Sequence, residues 1–175
     1  MNPIEPKKSL GQHFLRDRNI IRKIAGSLPV AEGDRLLEIG PGTGMLTEEL
    51  LSRFGNVTAV EIDRRAVELL RREPPALEVI HQDILRFSWE DLVKGEGELH
   101  VVGNLPYYIT SPILFSILGQ RKSVKSATLM VQKEVAERLV ALPRTKEYGI
   151  LSVQVQLMSS PSLLFDVSRG AFSPP

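Results

Sequence analysis

The sequence predicts an α/β fold in which an open, mostly parallel central sheet is flanked by helices. Two observations predict it. Short apolar runs of strand length alternate with longer segments whose apolar residues recur every three or four positions. Glycine or polar residues follow four of the apolar runs, as expected where parallel strands end at a ligand crevice. Such alternation implies right-handed crossovers between neighbouring strands.

The predicted elements begin with a helix that Asp17 caps, and its apolar residues lie on one face. Strands are predicted at 35–39, 57–61, 77–81, 99–102, 127–131 and 162–167. Helices are predicted at 45–54, 64–72, 111–118 and 133–141. Segment 148–158 fits either element, and the spacing of Leu151, Val155 and Met158 favours a helix.

Composition excludes several classes of site. The 175 residues contain no cysteine, which rules out disulfides, thiolate metal sites and a cysteine nucleophile. The three histidines (His13, His81 and His100) lack metal-ligand spacing, so no metal is expected. There is neither a membrane-length apolar stretch nor a signal peptide, and we expect a cytoplasmic protein without membrane contact.

Charge is unevenly distributed although the net charge is only +1. The N-terminal segment and helix, residues 1–30, carry six Lys or Arg against two acids. Residues 31–120 carry eight against fifteen, and residues 121–175 carry eight against four. Basic ends are typical of nucleic-acid binding, but charge alone is better explained by a solvated surface of mixed sign.

The predicted strand ends supply a candidate cofactor crevice, formed by Gly40, Glu61, Asp83 and Asn104. A dinucleotide loop needs a third glycine five residues after the first, and Met45 or Thr47 stands there instead. This disfavours a nicotinamide dehydrogenase. An acid at position 61 suits ribose hydroxyls, so the pattern favours a nucleoside cofactor without phosphates, chiefly S-adenosylmethionine. Asp83 is placed to accept from the adenine amine, although a loop or capping role explains it nearly as well.

The segment Asn104-Leu105-Pro106-Tyr107 follows the fourth predicted strand. It combines hydrogen-bond acceptors with a flat stacking surface, which is what holding a flipped-out base by its exocyclic amine requires. Taken alone, the segment is better explained as a turn, since Asn and Pro are common turn residues. Its place beside three other polar or glycine strand ends favours the functional interpretation.

These segments together resemble the KsgA-type ribosomal RNA adenine N6,N6-dimethyltransferases. The resemblance spans the chain and includes, in order, KSLGQHFL at 8–15, EIGPGTG at 38–44, VEID at 60–63, QDI at 82–84, GNLPYYI at 103–109, MVQKEVAER at 130–138 and FSPP at 172–175. It implies a Rossmann-like class I methyltransferase domain over residues 1–175. It also implies a further strand, inserted between the fifth and sixth, and a helical C-terminal domain, so the chain is expected to be truncated before the seventh strand.

The resemblance also implies roles for individual residues. S-adenosylmethionine is expected to contact His13, Leu15, Gly40, Glu61, Asp83 and Asn104. Many family members have Asn where this chain has His13. Catalysis is expected from Asn104 and Leu105 as acceptors, Pro106 as a stiffener, Tyr107 as a stacking ring and Phe172 as a second aromatic. Apart from the resemblance, the basic charge of the N-terminal segment makes Lys7, Lys8, Arg16 and Arg18 the expected RNA contacts.

The implied reaction dimethylates two adjacent adenosines in a 3′-terminal hairpin of small-subunit (16S) ribosomal RNA, with S-adenosylhomocysteine as product. The expected partner is this RNA within a pre-ribosomal small subunit, and a monomer is expected. One alternative is the large-subunit (23S) RNA adenine N6-methyltransferase of the antibiotic-resistance type; residues 11–15 and Leu105 favour the small-subunit type. Another is a non-catalytic ribosome-assembly factor, which the intact segment 104–107 disfavours.

Overall fold

The computed structural model describes residues 4–7, 10–72, 76–94 and 96–174. Its central sheet has five parallel strands in the order β4-β3-β2-β5-β6. These strands are β2 (Arg35–Ile39), β3 (Val57–Glu61), β4 (Leu77–His81), β5 (Leu99–Asn104) and β6 (Val124–Met130). The strand order changes direction between β2 and β5, and such a switch point opens a crevice at the carboxyl ends of the strands.

Seven α-helices flank the strands within the described residues. They are α1 (Arg18–Ser27), α2 (Met45–Phe54), α3 (Arg64–Leu70), α4 (Glu90–Val93), α5 (Thr110–Gly119), α6 (Lys133–Val140) and α7 (Ile150–Met158). Asp17 caps α1 as predicted, accepting from the backbone N–H groups of Asn19 and Ile20. Among the residues described, no helix has both the length and the apolar character needed to cross a membrane.

Two apolar clusters cover the sheet. One joins α1 and α2 to residues such as Leu36 and Val102. The other packs α5 and Trp89 against residues such as Leu37 and Val101. Neighbouring strand residues therefore bury opposite faces, as a sheet covered on both sides requires.

Most predicted elements are confirmed. The first three predicted strands and the helix at 45–54 form with the predicted bounds, and segment 148–158 contains α7. Strands β5 and β6 are longer than predicted. β5 runs on through Gly103 to Asn104, where a Cβ on Gly103 would lie 2.7 Å from the Ile39 carbonyl oxygen. Glycine thus permits β5 to stay close to β2 up to the site.

The predicted strand at 162–167 does not form. The segment instead packs Phe165 against the cluster around α1, where Lys23 Nζ lies 4.0 Å from the ring centroid. It shares with β6 the lining of a groove of about 1630 Å³. The prediction was wrong because apolar composition gives strand propensity, whereas a strand forms only where a neighbouring backbone supplies hydrogen bonds.

A two-stranded antiparallel ladder that the sequence did not predict joins the two ends of the chain. It pairs β1 (Phe14–Leu15) with β7 (Phe172–Ser173), the seventh strand in chain order. The backbone N–H of Arg16 extends the ladder by donating to the carbonyl of Ala171 at 2.8 Å. This ladder fixes the segment that precedes α1 beside the central sheet.

Glu38 is a buried carboxyl group on β2. Its side chain is packed against α2, where Thr47 Oγ1 donates to Glu38 Oε2 at 2.7 Å. Burial raises the pKa of Glu38 from 4.5 to about 7, while the Thr47 hydrogen bond opposes the increase and the Glu61 charge adds to it. The folded protein therefore holds this proton more tightly than the unfolded chain does.

We expect Glu38→Gln to remove a pH dependence of stability. The stabilising effect of the tightly held proton is present below pH 4.5 and is lost as the pH rises through about 7. Gln keeps an acceptor for Thr47 and cannot ionise. The unfolding free energy of the variant relative to wild type should therefore rise by up to about 3 kcal/mol between acidic and mildly alkaline pH. Urea titrations across this pH range measure the unfolding free energies, and Glu137→Gln at an exposed position is the control. A difference between Glu38→Gln and wild type that does not change with pH would contradict the raised pKa of Glu38.

Candidate active site

A cavity of about 290 Å³ lies at the carboxyl ends of the central strands. Its walls come from the loops after β2, β3, β4 and β5 and from residues 10–14 of the segment 10–15, here called the strap. The predicted residues that line it are His13, Gly40, Glu61, Asp83, Asn104, Leu105, Pro106 and Tyr107. The structure thus brings together residues from five separate segments of the sequence.

The glycine loop after β2 passes close to both β3 and the strap. Gly42 has φ +57°, and a Cβ there would lie 2.9 Å from ring atoms of Phe14 in the strap. Its backbone N–H donates to Glu61 Oε2 at 3.0 Å. Glycine at this position therefore satisfies two requirements, the left-handed backbone and the close contact with Phe14.

Glu61 is a buried carboxylate at the end of β3. It is 5% exposed, and its oxygens accept from the backbone N–H groups of Gly42 at 3.0 Å and Asp63 at 2.8 Å. Burial raises the pKa of Glu61, and these hydrogen bonds oppose the increase. Because a carboxylate has about four acceptor positions, Glu61 retains the capacity to accept from a ligand hydroxyl.

Asp83 lines the cavity and also holds its own loop. Its Oδ1 accepts from the backbone N–H of Leu85 at 2.9 Å and so caps a short 3₁₀ turn, Ile84–Arg86. The capping role considered from the sequence is therefore present. A role in ligand binding is compatible with it, since one carboxylate oxygen suffices for the cap.

The orientation of the Asn104 amide is set by the strap. Asn104 Nδ2 donates to the backbone carbonyl of His13 at 2.8 Å. Since a carbonyl only accepts, the amide nitrogen must face His13, and Oδ1 is the end that can accept from a ligand. The next residues are also fixed: the Leu105 N–H donates to the Met130 carbonyl at 3.0 Å, and Thr110 Oγ1 donates to the Pro106 carbonyl at 2.9 Å.

Tyr107 stacks on His13 at the mouth of the cavity. The ring centroids are 5.4 Å apart and the planes differ by 23°. His13 is held in turn, because its Nδ1 lies 3.0 Å from the Pro174 carbonyl and must donate to it. Tyr107 is 45% exposed, so its ring still offers surface to a ligand.

Several predicted site residues lie elsewhere. Leu15 is buried in the cluster around α1 and does not line the cavity. Phe172 packs against the same cluster and lines the larger groove, which also reaches Tyr107. Lys7 Nζ lies 3.5 Å from Asp63, while Arg16 and Arg18 are exposed. Lys8 lies outside the described residues.

Sequence reasoning missed Gln12 and Asp63. Gln12 lines the cavity, and its Nε2 donates to Asp63 Oδ2 at 3.1 Å. Asp63 is buried, and Arg65 holds its pKa well below the usual range through hydrogen bonds and charge. The one available signal was an acid two residues beyond Glu61, at the same edge of the sheet.

Comparison with known proteins establishes the family. A family model described as ribosomal RNA adenine dimethylase matches residues 4–175. The chain belongs to this family. The curated ribosomal RNA small subunit methyltransferase A of Chlorobaculum tepidum is 51% identical over 171 residues, which cover 98% of this chain and 62% of that protein. The chain thus spans about three fifths of the length of this relative.

Solved structures of adenine dimethylase relatives share the fold. A dimethyladenosine transferase from Plasmodium falciparum superposes with a TM-score of 0.82 at 32% identity, covering 93% of this chain and 59% of that one. The 23S rRNA methyltransferase ErmE superposes with a TM-score of 0.64 at 35% identity, covering 81% of this chain and 55% of that one. The predicted Rossmann-like methyltransferase fold is confirmed.

Gly42→Ala should weaken binding of S-adenosylhomocysteine by more than about tenfold. The added methyl group is strained at a left-handed backbone position by roughly 1–2 kcal/mol and displaces either Phe14 or the N–H that holds Glu61. Isothermal titration measures the affinity. The matched control is Gly33→Ala, where φ is also positive (+88°) but no atom lies within 4 Å of the added Cβ. Equal affinity in both variants would show that the loop does not shape the ligand site.

Proposed function

We propose that this adenine dimethylase domain transfers methyl groups from S-adenosylmethionine to N6 of adenosine in ribosomal RNA. The observation that carries the proposal is that Glu61, Asn104 and Tyr107 line one cavity with the Asn104 oxygen oriented as an acceptor. Within the family, small-subunit RNA is the favoured substrate. The 51% identical relative, which matches 98% of this chain, is named a ribosomal RNA small subunit methyltransferase.

The cavity has features that fit S-adenosylmethionine. Positive φ angles at Gly40 and Gly42 bring bare backbone to one wall, and a side chain on Gly42 would collide with Phe14, which lines the same cavity. Glu61 supplies acceptors for ribose hydroxyls, and Asp83 supplies an acceptor for an adenine amine. The cofactor supplies an electrophilic methyl carbon on a sulfonium, so the protein needs to hold and align the acceptor nitrogen.

Asn104 and Leu105 provide the groups that suit an adenine amine. Its N6 lone pair is delocalised into the ring, and hydrogen bonds to the Asn104 oxygen and the Leu105 carbonyl favour a more tetrahedral nitrogen. The same acceptors would stabilise the positive charge that develops at N6 as its bond to the methyl carbon forms and the carbon–sulfur bond breaks, the electron pair of that bond remaining on sulfur. Pro106 restricts the backbone around that carbonyl. The excess proton on N6 becomes acidic once the bond has formed, so water can take it.

Tyr107 supplies the stacking surface for the extruded base. His13 packs on Tyr107 and limits its rotation, which lowers the entropy lost when a base stacks. Stacking on an aromatic ring stabilises a base by roughly 1–3 kcal/mol. Phe172 lines the adjoining groove and is the candidate for a second aromatic contact.

Asn104→Ala should reduce methyl transfer at least about a hundredfold at saturating cofactor, because the amine loses an oriented acceptor. The assay supplies radiolabelled S-adenosylmethionine with small subunits and with 23S RNA, both lacking dimethyladenosine. The thermal midpoint verifies that the variant is folded. Tyr107→Phe, which keeps the ring, should retain most activity.

The same assay separates the candidate functions. Label in dimethyladenosine of the small subunit supports the proposal, and label in 23S RNA alone supports the large-subunit type, which the likeness to ErmE keeps as the second candidate. RNA binding without label in either substrate would support an assembly factor instead. Full activity of a folded Asn104→Ala variant would remove Asn104 from the mechanism.

Exposed Arg16 and Arg18 are the proposed phosphate contacts, since Lys7 is already paired with Asp63. Neutralising both as Arg16→Gln/Arg18→Gln should weaken RNA binding and lower the slope of log affinity against log salt by roughly 1.4–1.8, as two lost phosphate contacts predict. Binding titrations from low to moderate salt measure the slope. The control is Arg144→Gln/Lys146→Gln, an exposed pair after α6, and an equal effect of the two double variants would reject the assignment.

A further inference from the structure

A buried carboxylate outside the cavity is linked to Asn104 through the strap. Asp63 is 2% exposed and does not line the cavity. Its Oδ2 accepts from Gln12 Nε2 at 3.1 Å, and Gln12 immediately precedes His13, whose carbonyl accepts from the Asn104 amide at 2.8 Å. Two hydrogen bonds and one peptide unit therefore connect Asp63 to the proposed acceptor of the target amine.

We propose that Asp63 and Gln12 are positioning residues for methyl transfer, holding the His13 carbonyl against Asn104 so that the amide oxygen faces the target. The inference rests on the proposed function for its effect on rate, but not for its effect on the Asn104 amide. Without the carbonyl at His13, either end of the amide can face the ligand. An inverted amide presents N–H donors to an amine that itself has to donate.

The strap is held on both sides of His13, and the His13 ring itself contacts Tyr107 and the Pro174 carbonyl. Beyond His13, the pairing of β1 with β7 fixes Phe14 and Leu15. Before His13, Gln12 is the anchor: its Nε2 binds Asp63 and its Oε1 accepts from the backbone N–H of Lys7 at 2.8 Å. The position of the His13 carbonyl therefore depends on the ladder on one side, on the Gln12 side chain on the other, and on the contacts of the His13 ring between them.

Asp63 is suited to be a fixed anchor. Arg65 donates to both carboxylate oxygens, from Nε at 3.1 Å and from Nη2 at 2.6 Å. The backbone N–H of Asp63 donates to Glu61, so the residue is also fixed to the loop that lines the cavity. A carboxylate held by this many partners keeps its orientation, and Gln12 binds a stationary acceptor.

The test reverses the donor and the acceptor of the Gln12–Asp63 bond. Gln12→Glu places a second carboxylate against Asp63, which removes the bond and adds repulsion. Adding Asp63→Asn to that variant supplies an amide donor to Glu at position 12 and restores one hydrogen bond with reversed polarity, while Oδ1 still accepts from Arg65 Nε. Because the Arg65 Nη2 bond to Oδ2 is lost in this exchange, Asp63→Asn alone is the control for that loss. The control is Gln154→Glu, the same chemical change at an exposed position on α7.

Two readouts are measured on the 175-residue chain. The first is the side-chain amide signal of Asn104 in ¹H–¹⁵N spectra, assigned by its loss in Asn104→Asp. It should exchange slowly in wild type and in Gln154→Glu, exchange quickly in Gln12→Glu, and recover in the double variant. The second is kcat at saturating cofactor and RNA, which should fall by about tenfold in Gln12→Glu and recover to within about threefold of wild type in the double variant.

The two proposals fail in different ways. An unchanged Asn104 signal in folded Gln12→Glu would overturn the positioning role whatever the activity. A changed signal with unchanged kcat would show that the strap orients Asn104 without consequence for the reaction and would also overturn it. If wild type transfers no methyl group to any RNA, the proposed function fails, and the amide signal alone decides whether the strap orients Asn104.

Discussion

The architecture of the site depends on the Glu61 carboxylate, which holds two loops together at the edge of the sheet. One oxygen accepts from Gly42 in the loop after β2, and the other accepts from Asp63 in the loop after β3. Burial opposes ionisation of Glu61, so the backbone N–H groups compensate for lost hydration. Gly42 is thereby placed against Phe14 and Asp63 against Gln12, and both contacts fix the strap.

This arrangement explains how a cavity made of irregular segments keeps a defined shape. The strap has little regular structure beyond the two residues of β1, yet backbone or side-chain groups of Gln12, His13 and Phe14 contact two loops and the end of β5. Each contact is directional or sterically tight, so displacing one loop displaces the others. The Asn104 amide is the last group in this series of contacts, and its orientation depends on all of them.

The sequence predicted the parts of the fold that arise from local patterns. Strands such as Arg35–Ile39 form with the predicted bounds because their apolar runs are buried on both faces of the sheet. Pairing between β1 and β7 was not predictable, since each strand has two residues and their partners are about 160 positions apart. Segment 162–167 shows the opposite error. Its local apolar pattern predicts a strand, but the segment pairs with no strand among the described residues. In the site, residue types predicted the acceptors at 61 and 104, but the group that orients the Asn104 amide is the backbone carbonyl of His13, which accepts from Asn104 Nδ2 and leaves no mark in the sequence.

The proposed chemistry and the choice of RNA substrate depend on different parts of the molecule. The groups proposed to hold the cofactor and the amine lie within one small cavity. This chain superposes both on a dimethyladenosine transferase and on a 23S rRNA methyltransferase, so a shared catalytic fold accommodates relatives with different names. A base drawn into such a cavity is read only at its own edge and faces, which are the same for every adenosine. Discrimination between RNA molecules would therefore have to come from surfaces outside the cavity, and the residues proposed for such contacts in this chain are Arg16 and Arg18, which are exposed just beyond the strap and next to the ladder that fixes it.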